Sequence, residues 1–164
     1  MLHRGVRWLL SPQLRAFGQA HMEFSLRPPV SAVQRLLAES QLPAADLTPA
    51  LMQHFVACGA PQDPAGVVGL EVYGPLALLR SLAVAASHRG SGLGRTLVAV
   101  AEAHAQSCGV QELYVLTTTA ERFFERMGYE RTERDAAPAA IRGTGEFTSL
   151  CPASAAFMRK RLDR

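Results

Sequence analysis

Apolar and polar residues alternate over Met22–Arg27 (MEFSLR), the period of a half-buried strand, and Pro28-Pro29 stop it. Helical spacing follows. Val33, Leu36 and Leu37 share one stripe, with Ser31 placed as the cap and Leu42-Pro43 as the stop. Leu47–Phe55 reads as a second short helix, with Asp46 or Thr48 near its start and Pro49 in its first turn. Phe55–Ala57 opens a strand, and CGAPQDPAG reads as a turn. Val67–Tyr73 (VVGLEVY) and Leu76–Val84 (LALLRSLAV) flank Gly74-Pro75 and predict a hairpin. The second run is apolar at nearly every position, as a strand covered on both faces should be. Beyond a glycine-rich stretch, Leu93, Leu97, Val100, Ala101 and Ala105 mark the buried stripe of a helix reaching about Cys108, with Gly109 as its left-handed stop. Glu112–Thr117 predicts a strand, Ala120–Met127 a helix stopped at Gly128, and Tyr129–Thr132 another strand before a tail. The order is β-α-α-β-β-β-α-β-α-β. Strand–helix–strand over 76–117 implies a parallel pair joined by a right-handed crossover, so the fold class is mixed α/β.

Composition narrows this picture only a little. A chain of 164 residues, 48% hydrophobic and 19% charged, reads as one globular domain with a proper core. Of the net charge of +3, much comes from residues 1–21, which hold Arg4, Arg7 and Arg15 and no acid. No Lys/Arg block marks a nucleic-acid face, and no apolar run approaches the ~20 residues of a membrane span. The first stretch has a short Trp8-Leu9-Leu10 patch but no long apolar region, which excludes a secretory signal. It reads as an extension, disordered or upstream of a start at Met22, with an organellar transit peptide as the alternative. The expected division is therefore 1–21 extension and 22–164 domain. Cys58, Cys108 and Cys151 are odd in number and widely spaced, which points to neither a disulfide framework nor a closed zinc site, and to a cytoplasmic location.

The chemistry starts at RGSGLGRT, residues 89–96. Its glycines lie between a central strand and a helix, where the first helical N–H groups are unpaired and the dipole is positive. Bare backbone lets an anion accept several of those N–H groups, and Arg89 and Arg95 add charge, so the stretch reads as a phosphate or pyrophosphate cradle. Gly94-Arg95-Thr96 lacks the lysine and spacing of a P-loop, and Gly90, Gly92 and Gly94 do not give G-x-G-x-x-G. The alternative is a tight turn without a ligand.

LLRSLAVAASHRGSGLGRTLV resembles the acetyl-CoA signature of the GNAT N-acetyltransferases, an apolar strand ending in Leu-x-Val and then Arg-x-x-Gly-x-Gly, matched by Arg89, Gly92 and Gly94. Downstream, AERFFERMGYE resembles the second signature of that superfamily through Ala120, Phe123, Gly128 and Tyr129. The resemblance covers roughly residues 22–161. It implies a central mixed sheet of about six to seven strands flanked by helices and splayed between strands 4 and 5. It implies acetyl-CoA as cofactor. Backbone of Leu82, Ala83 and Val84 would pair with the pantetheine arm, amides of Arg89, Gly90, Ser91, Gly92, Leu93, Gly94, Arg95 and Thr96 would hold the pyrophosphate, and Phe123 and Phe124 would lie beside the thiol. EFTSLCPASAAFMRKRL, residues 146–162, with PAAIRGTGEF before it, resembles the tail of acetyltransferases that accompany arsenic-resistance operons. That implies a small amino acid, or an arsenic- or phosphorus-containing analogue, as acceptor.

Acetyl transfer to an amine needs a base, an oxyanion donor and a leaving thiolate. Glu71, on the strand face of Tyr73 and opposite Val68, Leu70 and Val72, is the candidate base, with a surface carboxylate as the alternative and Glu146 as a rival. The N–H of Val84 is the candidate oxyanion donor. The usual superfamily acid is a tyrosine where this chain has Phe124, which leaves Tyr73, Tyr114, Ser154 or no acid at all. Arg80, taken to share parity with Leu78, Leu82 and Val84, pairs either a substrate carboxylate or a nearby Glu. Thr117 borders the substrate or caps the following helix, and Cys151 touches the substrate, ligates trivalent arsenic, lies near the acceptor site or packs in a turn. Cys58 and Cys108 read as incidental, His88 as solvated, and His54 and His104 give no signal. The expected activity is acetyl transfer to a small-molecule amine in a ternary complex, without metal, nucleic acid or membrane. A homodimer through the C-terminal apolar strand is a further expectation. The alternatives are acetylation of a protein terminus or lysine, and a non-catalytic module binding acetyl-CoA or an arsenical.

Overall fold

A computed structural model describes residues 22–163; the extension expected at 1–21 lies outside the described residues. The elements are β1 (Phe24–Leu26), α1 (Val30–Glu39), β2 (Phe55–Ala60), β3 (Asp63–Tyr73), β4 (Leu76–Val84), α2 (Leu93–Ser107), β5 (Glu112–Thr117), α3 (Glu121–Arg126), β6 (Glu130–Arg131), α4 (Ala139–Arg142) and β7 (Ala156–Arg161). The seven strands form one mixed sheet in the order β1-β2-β3-β4-β5-β7-β6. As the strand–helix–strand pattern predicts, β4 and β5 are parallel, in register from Leu76↔Glu112 to Leu79↔Val115.

The chain gathers into two compact units, one ending its first segment at Gly69 and resuming over Ser81–Val100, the other holding Leu70–Arg80 and the chain from Ala101 on. In the first, the α1 stripe of Val33, Leu36 and Leu37 packs with Met52, Phe55, Val67 and Ala83. Gly69 is required here because the Phe55 ring lies 2.3 Å from where a Cβ would stand. In the second, Leu78, Tyr114, Leu116, Ile141 and Phe157 form the core, with Tyr114 stacked on Phe157 at 5.4 Å between ring centroids. The predicted stripe of α2 is buried, and Gly109 and Gly128 are left-handed at φ 83° and 87°.

Several expectations are corrected. The stretch CGAPQDPAG is mostly strand: β2 runs to Ala60 and β3 starts at Asp63, with a bulge at Cys58/Gly59 and Pro64 opposite Gly59. The bulge and hairpin mouth tolerate the proline that the ladder interior would not. Ser31 is not the cap of α1, which begins at Val30 and takes its first bond as Val33 N–H to the Pro29 carbonyl. That helix ends at Glu39, where Gln41 turns left-handed (φ 56°) and Leu42 N–H bonds back to Leu37, before the proline can act. The helix expected over Leu47–Phe55 is a single 3₁₀ turn, Leu51–His54. Parity along β4 does not carry from Arg80 to Leu82 and Val84, because Ser81 between them has φ 56° and breaks the alternation. The C-terminal strand β7 pairs with β5 from Ala156 to Arg161 and with β6 at Met158 and Arg159. No helix among the described residues is long and apolar enough to cross a membrane.

Candidate active site

The glycine-rich stretch becomes an open turn at the start of α2. Gly90 and Gly92 have φ 76° and 84°, and a Cβ at either would meet nothing within 4 Å. The left-handed backbone is what demands glycine, and the space it leaves is open. The carbonyl of Gly92 accepts the N–H of Thr96 at 3.2 Å, so the helix proper starts at Leu93. The leading amides of Leu93, Gly94 and Arg95 then have no intrahelical carbonyl to bond. Leu93 is buried and anchors the turn from below, while Arg89, Ser91 and Arg95 are exposed above it. Arg89 Nε donates to the Val84 carbonyl at 3.1 Å, tying the turn to the end of β4. In β4 itself Leu82 and Val84 are half-buried and Ala83 is buried against the core.

A second constellation lies wholly within the other unit. Arg80 is buried, and its guanidinium reaches Glu71 Oε1 through Nη1 at 2.5 Å and Glu146 Oε1 through Nη2 at 3.1 Å. Tyr73 Oη donates to Glu71 Oε2 at 2.6 Å, and Cys151 Sγ donates to Glu146 Oε2 at 3.0 Å. Every carboxylate oxygen of the pair therefore has a donor. Glu71 is 7% exposed and Glu146 is 6% exposed, which rules out the surface-carboxylate alternative for Glu71. Two anions share one cation, leaving the buried cluster with net charge −1 when both are ionised. The face shared by Glu71 and Tyr73 is as strand parity predicts.

Glu146 reaches this cluster from the segment between β6 and β7, where a π turn (Glu146–Leu150) closes with Cys151 N–H on the Glu146 carbonyl at 3.0 Å. Burial, and then the hydrogen bond to Glu71, push the Tyr73 phenol up to about 12. Burial, followed by the bond to Glu146, pushes the Cys151 thiol up to about 12, and burial alone takes Cys58 to about 11. A thiol reacts as thiolate. At pH 8 the thiolate fraction is then about 10⁻³ for Cys58 and about 10⁻⁴ for Cys151, whereas Cys108 is exposed. Iodoacetamide at that pH should label Cys108 at least about 100-fold faster than the other two, read by mass spectrometry. Equal labelling of Cys151 would mean that its burial and its bond to Glu146 do not hold in solution.

The remaining predicted residues sit as follows. Thr117 Oγ1 accepts the Ala120 N–H at 2.9 Å, closing the turn ahead of α3 rather than capping it, since Ala120 holds the N-cap position. Phe124 is 3% exposed and packs edge-on to Phe123 and Tyr129, with centroids 5.1 and 5.2 Å away. Phe123 is half-buried. Tyr114 is committed to Glu112 at 2.8 Å, and Ser154 is exposed. His88 is exposed, its ring beside Ser87 Oγ. Arg134, which the sequence did not single out, stacks its guanidinium 4.4 Å over the Phe147 ring centroid. Nothing at 134 departs from an ordinary surface arginine in the sequence, so no sequence signal could have found it.

Residues 51–131 match the family model described as Acetyltransferase (GNAT) domain. An uncharacterized N-acetyltransferase of Chlorobaculum tepidum, CT2212, is 47% identical over 66 residues, which is 40% of this chain and 42% of that protein. Among solved structures, N-acetylglutamate synthase from Neisseria gonorrhoeae, complexed with coenzyme A and N-acetyl-glutamate, aligns with TM-score 0.73 at 18% identity, over 89% of this chain and 36% of that one. Rv2747 from Mycobacterium tuberculosis, in complex with CoA, aligns with TM-score 0.68 at 21% identity, over 84% of this chain and 98% of that one. This chain thus spans well under half of the curated relative and of the synthase.

Proposed function

Starting from the match of residues 51–131 to the Acetyltransferase (GNAT) domain model, we propose that the protein transfers acetyl from acetyl-CoA to the primary amine of a small molecule, an amino acid or its arsenic- or phosphorus-containing analogue, in the setting of arsenic resistance. The observation that carries this reading is the open turn at the head of α2. Two left-handed glycines with free space over them, flanked by exposed Arg89 and Arg95, fit a diphosphate. The synthase of like fold holds coenzyme A and N-acetyl-glutamate, an N-acetylated amino acid, which favours an amino-acid acceptor.

Acetyl-CoA, when bound, supplies the activated acyl group as a thioester. The amides from Arg89 to Thr96 hold its diphosphate, and the backbone of Leu82, Ala83 and Val84 takes the pantetheine as an added strand. The ladder of β4 with β5 ends at Leu79, which supports this reading by leaving the last residues of β4 outside that register. The N–H of Val84 stabilises the developing oxyanion, a type of contact worth about 3 kcal/mol in acyl transfer. The resemblance to the acetyltransferase signatures assigns Phe123 and Phe124 to the thiol end.

An amino-acid amine is mostly protonated at neutral pH and must lose a proton before attack. Glu71 is its final acceptor. The Tyr73 oxygen takes a proton from the ammonium as the Tyr73 hydroxyl passes its own to Glu71 Oε2, along the 2.6 Å bond already present. Nitrogen would then form the new bond to the acyl carbon as the C–S bond breaks, and the second proton that the nitrogen sheds would go to the departing thiolate. With a thiol pKa near ~8.5, thiolate is a tolerable leaving group without an acid at the Phe124 position.

Glu71→Gln should therefore lower kcat/KM near pH 7 by about 10²-fold and recover part of it as pH rises toward the pKa of the amine, measured by thiol release. A pH profile parallel to that of the parent enzyme would exclude Glu71 as base. Release of CoA across a panel of amino acids and their arsenic and phosphorus analogues tests the reaction itself. Binding of acetyl-CoA with no release from any amine would leave a binding module instead.

A further inference from the structure

The sequence offered Arg80 for a substrate carboxylate, but its guanidinium is shared between Glu71 and Glu146. Arg134 is held differently. Its ring-like plane lies over Phe147, and Nη2 donates to the Phe147 carbonyl at 3.1 Å. Nη1 is shut away from solvent with no hydrogen-bond partner. A buried donor on a charged group without an acceptor is costly, and one in a native protein calls for an explanation.

The same side chain lines a pocket of about 270 Å³, with Thr132 and Ser154 as further polar groups and Glu133 and Asp135 on its wall. That volume is close to the lower end for small-molecule sites, roughly 300–1,000 Å³. Arg131, also at the pocket, is paired with Glu121 at 3.1 Å, which leaves Arg134 with donor capacity to spare. The Phe147 ring and a single tether hold the guanidinium at the pocket wall, and a guanidinium matches a carboxylate once Nη1 is turned outward. The two acids on the wall disfavour a dianion and favour a ligand that brings a cation with its carboxylate.

We propose that this pocket is the subsite for the carboxylate of an amino-acid acceptor, with Arg134 as its binding residue. The proposal rests on the reading of the protein as an amine acetyltransferase and narrows that acceptor to a molecule bearing both amine and carboxylate. A modest shift of the Arg134 side chain turns Nη1 to the carboxylate, with Ser154 Oγ as a second donor.

The test uses the full chain without acetyl-CoA, so that no turnover occurs. Each of the twenty protein amino acids and its α-amide is titrated by calorimetry. At least one acid should bind about 10-fold tighter than its amide, Arg134→Gln should abolish that preference, and Arg134→Lys should keep part of it. With acetyl-CoA, Arg134→Gln should raise KM for that acid about 10-fold while kcat and KM for acetyl-CoA stay within about 2-fold. Equal binding of acids and amides, a preference that survives Arg134→Gln, or no binding at all overturns the subsite; in those cases a water satisfies Nη1. Binding that depends on Arg134 without any CoA release supports the subsite and sinks the acetyl-transfer reading. Turnover that is blind to Arg134 does the reverse.

Discussion

Replacing Arg80 by methionine is expected to lower the unfolding free energy by about 3–5 kcal/mol, the cost of stranding buried charge. Arg80 is the cation between Glu71 and Glu146, and its side chain is wholly enclosed. Methionine fills much of the same space, so the loss is electrostatic rather than a cavity. The same logic predicts a rescue. Arg80→Met combined with Glu71→Gln and Glu146→Gln removes all three charges and should regain most of the stability, since a neutral replacement of a buried ionic group is often near neutral. Urea titration of the single and triple variants checks both statements, with m values compared to show that the unfolded states are alike. A triple variant no more stable than the single one would mean that Arg80 matters for its packing and that the shared-cation account is wrong. Activity should not return with stability, because the triple variant lacks the proton acceptor assigned to Glu71.

Ser91→Glu is expected to separate cofactor affinity from folding. Ser91 is exposed two residues before α2, and its hydroxyl donates to the His88 carbonyl. A carboxylate there faces the positive end of the helix and should raise stability slightly, by about 0.3–1 kcal/mol. A diphosphate in the cradle carries roughly two negative charges. At about 5 Å from the new carboxylate it meets about 2 kcal/mol of repulsion even in water-like surroundings, or roughly 30-fold in Kd. Calorimetry with coenzyme A, at low and high salt, reads the effect, which salt should diminish. Ser91→Gln, of similar size and neutral, should stay near the parent value. Unchanged affinity in Ser91→Glu would remove the diphosphate from this turn. Gly92→Val is a poorer probe than the sequence implies, because φ 84° at Gly92 strains any L side chain and mixes folding with binding.

The glycine turn and the buried charge cluster were legible to different degrees. The cradle is local: glycines, strand and helix lie within a few residues, and a left-handed turn at a helix start needs glycine wherever it occurs. Pattern alone therefore placed residues 89–96 and the ends of β5 within a residue. The Glu71–Arg80 contact was half visible, since parity gives the face of each strand residue but not the left-handed turn of the backbone at Ser81 or the partner that arrives from elsewhere. Glu146 comes from a segment 66 residues beyond Arg80, and no local rule brings a π turn back over a strand. The strand through Pro64 was missed for a related reason. Proline and glycine read as a turn until a bulge in the partner strand makes room for them.

The sequence by itself determined the order and type of most elements from β1 to β6, the parallel β4–β5 pair and the glycine turn at the head of α2, because these follow from periodicity and from short-range backbone sterics. Only the tertiary structure decided which charges are buried together. It committed Arg80 to two carboxylates, put β7 inside the sheet, and left Arg134 with an unmet donor. Desolvation and pairing depend on groups distant along the chain, and their energies exist only once packing has excluded water from around them.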